Sequence, residues 1–191
     1  QRLSDLPDPA VRGVVWATAF DLVHTGQLPA AAFLTLLRRH LPAESHASTV
    51  VEVLDWVRAT LLARWVTAEA SPDAVRTVAA TCSAALDVPL ERSLAVSWTR
   101  SLALSTDDAG LLESWLAAGA TSAGAPVDPT LRWLALHRLA ALGAVDAERL
   151  ARERAADGTV DGVLGELRAL AARPSPEAKL DAWSRMVGDP D

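Results

Sequence analysis

Cysteine is almost missing from these 191 residues: Cys82 stands alone, so no disulfide can form within the chain and a disulfide-stapled fold is excluded. A lone thiol suits a reducing compartment, and the cytoplasm is the expected location. Tyrosine and isoleucine are absent and phenylalanine occurs twice, so the usual strand formers are mostly missing. Lysine occurs only as Lys179, so the positive charge is carried by arginine and the net charge is −6. An acidic chain with pI near 5.2 is repelled by phosphates, and no nucleic-acid partner is expected. No run of 18 apolar residues occurs, so no membrane span is expected. The start shows no basic, then apolar, then small-residue leader. It opens at Gln1 without Met, mid-pattern, which reads as a piece of a longer polypeptide.

Familiar reaction centres are missing too. The four histidines are His24, His40, His46 and His137; none precedes Glu and no two lie one helical turn apart, so the zinc-peptidase pattern H-E-x-x-H is absent. No G-x-S-x-G elbow, phosphate loop or dinucleotide fingerprint occurs. His40, Glu44 and His46 span a turn whose mixed polar residues read as solvated rather than metal-binding. Cys82, set among Ala and Thr, reads as a buried structural thiol. The acidic pairs Glu52/Asp55 and Asp107/Asp108 read as a solvated helix face and a helix start, since nothing apolar surrounds them to raise a pKa.

What remains is abundant Ala and Leu, 50% hydrophobic residues and seven tryptophans. Asp8-Pro9, Ser71-Pro72, Asp128-Pro129 and Ser175-Pro176 each set a capping side chain before a proline suited to the first helical position. Val50, Leu54, Val57, Leu61 and Trp65 form an apolar stripe of helical period. Leu94, Trp98 and Leu102 form another, Leu180, Trp183 and Val187 a third, and Val163, Leu167 and Leu170 continue the pattern. Core packing is the default for the tryptophans on these stripes. About ten helices follow: 9–24, 29–41, 49–66, 72–86, 90–104, 108–118, 129–142, 147–156, 159–172 and 176–187. Proline-marked starts recur every 40 to 47 residues (29 to 72, 89 to 129, 129 to 176). That period belongs to helix-pair solenoids of the HEAT and armadillo kind. The expected fold is therefore all-α, a superhelix of antiparallel pairs forming one domain over 1–191. The longest loop, Gly119 to Asp128, is a hinge or a surface excursion. The first helix is apolar nearly all round, with Arg12 and Asp21 as charged positions, which predicts burial on two sides or against another domain.

Arg38, Arg39 and His40 close the second helix. Cations there complement the helix dipole, and they are also candidates for an electropositive wall facing a peptide carboxylate.

Three segments carry a family resemblance. VRGVVWATAFDLVHTGQLPAAAFLTLLRRHLPAE (Val11 to Glu44) resembles the opening helical hairpins of the C-terminal domain of the aminopeptidase N family, its actinobacterial members above all. LRWLALHRLAALG (Leu131 to Gly143) and RPSPEAKLDAW (Arg173 to Trp183) follow in the family's order. The resemblance implies a parent zinc enzyme that removes N-terminal residues from peptides. Its catalytic domain would hold the zinc through H-E-x-x-H and a further Glu, and the substrate amine through a Gly-x-Met-Glu-Asn loop. None of these motifs is present, so no catalytic or metal-binding residue carries over, and no cofactor is expected in this piece. The helical domain would cap the cleft and shape the substrate chamber, with the parent's own catalytic domain and peptides as partners. Alone, it would be inactive. The alternative is a free-standing HEAT-like adapter that holds a protein partner in its groove.

Overall fold

Helix starts follow the chemistry of their capping residues. The computed structural model describes residues 3–188. Among them are ten α-helices and one isolated bridge, Ala120 to Pro126, with no named strand. Asp8, Asp128 and Ser175 each accept a first-turn backbone N–H, at 2.9, 2.7 and 3.2 Å. They open α1 (Pro9–His24), α7 (Pro129–Ala141) and α10 (Pro176–Val187) as their prolines predict. Ser71 departs from the pattern. α4 (Ser71–Leu86) starts behind Ala70, so Ser71 is itself helical and caps nothing. Asp108, Asp146 and Thr159 cap α6 (Ala109–Ala118), α8 (Ala147–Ala156) and α9 (Val160–Ala172) without proline. The remaining helices are α2 (Ala30–His40), α3 (Ala47–Trp56) and α5 (Arg92–Ser105). None is long and apolar enough to cross a membrane, among the described residues.

The helices sort into two compact units that divide between Ser105 and Thr106. In the first, α2 packs on α4, α4 on α5 and α3 on α5. Phe20 of α1 stacks on Trp56 with ring centroids 4.3 Å apart, and Phe33 of α2 meets the same indole at 5.0 Å. In the second, α7 packs on α9, α6 on α7, and α8 and α10 on α9. The loop from Gly119 to Asp128 lies inside this unit and is tied down. Trp115 Nε1 donates to Ser122 Oγ at 3.0 Å, and Thr121 Oγ1 accepts the Ala125 N–H at 3.2 Å. It is a surface excursion with its own hydrogen bonds.

Three expectations are corrected. The helix read over 49–66 is α-helical only as far as Trp56, and Val57–Trp65 is a π-helix. Val50, Leu54, Val57 and Leu61 are buried as their stripe predicts, but Trp65 is 40% exposed. More residues per turn mean less rotation per residue, so the α-period drifts out of phase beyond Trp56. Second, of the two readings of α1, burial on both sides by these residues fails: Trp16, Ala19, Phe20 and Val23 are buried, while Val11, Val14 and Val15 are exposed, as the reading with a second domain expects. Third, Leu180, Trp183 and Val187 face outward, not into the core.

Arg12 and Glu44 form a buried pair, although the turn that holds Glu44 reads from sequence as solvated. Arg12 Nε and Nη2 donate to the two Glu44 oxygens at 2.8 and 2.7 Å, and Nη1 donates to the Leu6 carbonyl at 2.8 Å. Glu44 also accepts the His46 N–H at 2.9 Å. This bidentate clamp fastens α1 to the turn that follows α2. Burial pushes the Glu44 carboxyl upward, but the hydrogen bonds from Arg12 and the His46 backbone, with the Arg12 charge, outweigh it and hold it below its ordinary 4.5.

In the second unit, Gly165 of α9 lies flat against the Trp133 indole of α7. A Cβ there would overlap the ring carbons. Gly165→Ala should therefore cost about 1–3 kcal/mol in denaturant unfolding. Gly13→Ala, in open space within α1, should stabilise by roughly 0.5–1 kcal/mol. Glu44→Gln should cost about 3 kcal/mol at neutral pH by leaving Arg12 buried without its counter-charge. Because folding depresses the Glu44 pKa, its contribution is present above 4.5 and lost as pH falls through the folded value. The gap between wild type and Glu44→Gln should accordingly narrow in unfolding curves taken below about pH 4.

Candidate functional site

Helical geometry sends the three cations that end α2 in different directions, each about 100° round from the last. Arg38 opens onto a groove of about 520 Å3 between α2, α4 and the stretch from Trp65 to Ala70. Leu34, Thr35, Trp65, Thr67 and Thr77 share its walls. Arg38 is exposed and forms no ion pair among the described residues. The groove's carboxylate, Asp73, is engaged by Arg76. Trp65 stands at the rim, edge-on to His24 with ring centroids 5.9 Å apart. The groove thus combines a bare guanidinium, an indole face and hydroxyls, a set suited to an acidic or carboxylate-bearing ligand.

His40 belongs elsewhere. It is buried, and its Nδ1 lies 3.2 Å from Ser4 Oγ. It borders a separate cavity of about 440 Å3 walled by Leu3, Leu6, Val15, Trp16 and Leu22 among others. Its Nε2 is enclosed with no hydrogen-bond partner. Burial, reinforced by the charge of Arg39, lowers the His40 pKa below its ordinary 6.5 and leaves the ring neutral at pH 7. Arg39 is exposed. Arg38 and His40 therefore do not line one surface.

The other sequence candidates are accounted for structurally. Asp55 pairs with Arg58, and Asp108 accepts the Leu111 N–H at 2.9 Å as the cap of α6. Among the described residues no group of three or more His, Cys, Asp or Glu side chains could hold a metal. The residues around the turn do not fit zinc: Glu44 has both oxygens on Arg12, and His40 Nε2 is shut inside the fold. Sequence reasoning missed the Arg12–Glu44 clamp and the place of Trp65 at the groove. The first had a signal, a lone arginine on the otherwise apolar inner face of α1. The second had none, because side-chain periodicity does not reveal a π-helix.

Cys82 is fully buried in α4, and burial pushes its thiol up to about 12. A thiol reagent at about pH 8 should leave the folded chain unmodified and react once guanidinium unfolds it. Absorbance after addition of an aromatic disulfide reads this directly.

Comparison with known proteins agrees with the paired helices. A family profile described as the ERAP1-like C-terminal domain matches residues 1–191. Aminopeptidase N of Streptomyces lividans is 29% identical over 202 residues, covering 98% of this chain and 22% of the relative. The chain thus spans about a fifth of the length of the curated relative it matches. With all of its residues inside the profile and a described fold made of helices, the chain belongs to the ERAP1-like C-terminal domain family.

Proposed function

We propose that this chain is the C-terminal helical part of a zinc-dependent aminopeptidase that removes N-terminal residues from peptides. In that enzyme it caps the catalytic cleft and shapes the substrate chamber, while zinc and the reacting groups belong to the catalytic domain of the same polypeptide. The observation that carries this reading is the family match across residues 1–191. Among the described residues no group of three or more His, Cys, Asp or Glu side chains could hold a metal, which supports this division of labour. A wall of stacked helices can exclude water and confine a short peptide without supplying a nucleophile. Within the chain, Arg38 and Arg39 are the cations this reading turns toward peptide, Arg38 from the groove beside Trp65. Buried, neutral His40 positions the end of α2 behind them. The lone buried thiol supports a cytoplasmic setting.

The test compares the parent enzyme with the isolated 191-residue chain on aminoacyl arylamides. The parent should hydrolyse them and lose that activity to a chelator, and the isolated chain should show none. Hydrolysis by the isolated chain would overturn the proposal. So would an upstream reading frame with a start codon just ahead of Gln1 and no H-E-x-x-H, which is the pattern of a free-standing adapter.

A further inference from the structure

The second unit holds one histidine, His137 of α7, and no cysteine. It therefore has a single side chain whose ordinary pKa falls between about pH 5.5 and 7.5. That ring follows Trp133 by one helical turn and shares its side of α7, the side against α9. It is half-buried and donates to the backbone carbonyl of Arg168 in α9, while its Nδ1 is enclosed with no hydrogen-bond partner. The charges that act on it most are all positive: Arg138 from its own helix, Arg168 from α9 and Lys179 from α10. Of the carboxylates on the helices packed around it (Glu113, Asp161, Glu166, Glu177 and Asp181), none ranks beside these cations. Glu113 of α6 is moreover held by Arg149, and Asp181 by Arg185.

The neighbouring helix α10 is lightly held. Its single buried residue is Ala178, and Lys179 Nζ reaches back to the Ala171 carbonyl at 2.6 Å. We infer that His137 is a proton-operated latch: neutral, it lets the end of α9 and α10 close on α7, and protonated, it loosens the first and releases the second. A proton on Nδ1 creates an N–H without an acceptor in an enclosed place and adds a positive charge beside three others. Burial, reinforced by those cations, outweighs the Arg168 hydrogen bond and holds the ring's pKa below its ordinary 6.5. The released form takes up its proton near 6.5 and the closed form resists it, so closure is complete above that pH and weakens as pH falls below it. With so little apolar contact on α10, one disfavoured proton is a large share of what keeps it in place. The latch stands apart from the proposed function and does not depend on it.

Hydrogen exchange in the parent polypeptide, expressed as protection factors, tests it. Protection over residues 169–187 should fall about fivefold between about pH 7.5 and 5.5, while that of α6 holds. His137→Gln keeps an N–H for the Arg168 carbonyl and removes the titration, so the fall should vanish. Arg168→Gln retains the backbone carbonyl, relieves one repelling charge from an exposed side chain, and should shrink the fall about twofold. No fall in the wild type would overturn the inference. So would an undiminished fall in His137→Gln, or an equal fall over α6, which marks general acid loosening. Should His137→Gln not fold, Arg168→Gln decides, and a fall as large as that of the wild type overturns the latch.

Discussion

The contact between the Trp133 indole and the bare backbone of Gly165 sets the second unit. No side chain separates the ring from α9, so α7 and α9 approach more closely than larger residues would allow. The indole is also anchored at its polar end, where Nε1 donates to Asp157 at 2.7 Å. Asp157 in turn accepts from the Thr159 hydroxyl at 2.6 Å, so the same carboxylate orders the residue that caps α9. One aromatic ring thereby fixes both the distance to α9 and the place where that helix starts. The small inner face of α9 follows from it, and the bulky residues are left to the opposite side.

The first unit relies on a different device. Its aromatic cluster is built from Trp16, Phe20, Phe33 and Trp56, whose rings meet in tilted and stacked pairs. Such contacts are strong but weakly directional. The Arg12–Glu44 pair adds direction, since a planar guanidinium meets a carboxylate in one geometry only. It ties α1 to the turn below α2, from which Arg38 and Arg39 project. A charged pair buried this deeply adds little net stability over apolar residues of the same shape, and its value lies in the orientation it enforces.

Much of the fold was legible because its signals are local. Asp8, Asp128 and Ser175 mark helix starts through a hydrogen bond that spans two or three residues, and the stripe from Val50 to Leu61 reports a buried face directly. The misreadings share one cause. Periodicity shows that a face is apolar, not what lies against it, so Leu180 and Trp183 read like core residues although no neighbour within residues 3–188 buries them. Glu44 read as solvated because its partner is 32 positions away. The arginines at the end of α2 were visible as a charge run, but only helical phase separates the groove-lining Arg38 from the enclosed His40.

The widened turns between Val57 and Trp65 act as a vernier on one indole. On a continuous α-helix Trp65 would stand about 40° round from Leu61, on the face of the same stripe. Slower winding delays it by a fraction of a revolution and delivers it to the open rim beside His24. Whether this tryptophan serves the interior or the surface is thus decided by backbone pitch, so an identical residue string wound at the usual pitch would leave the rim without its aromatic post.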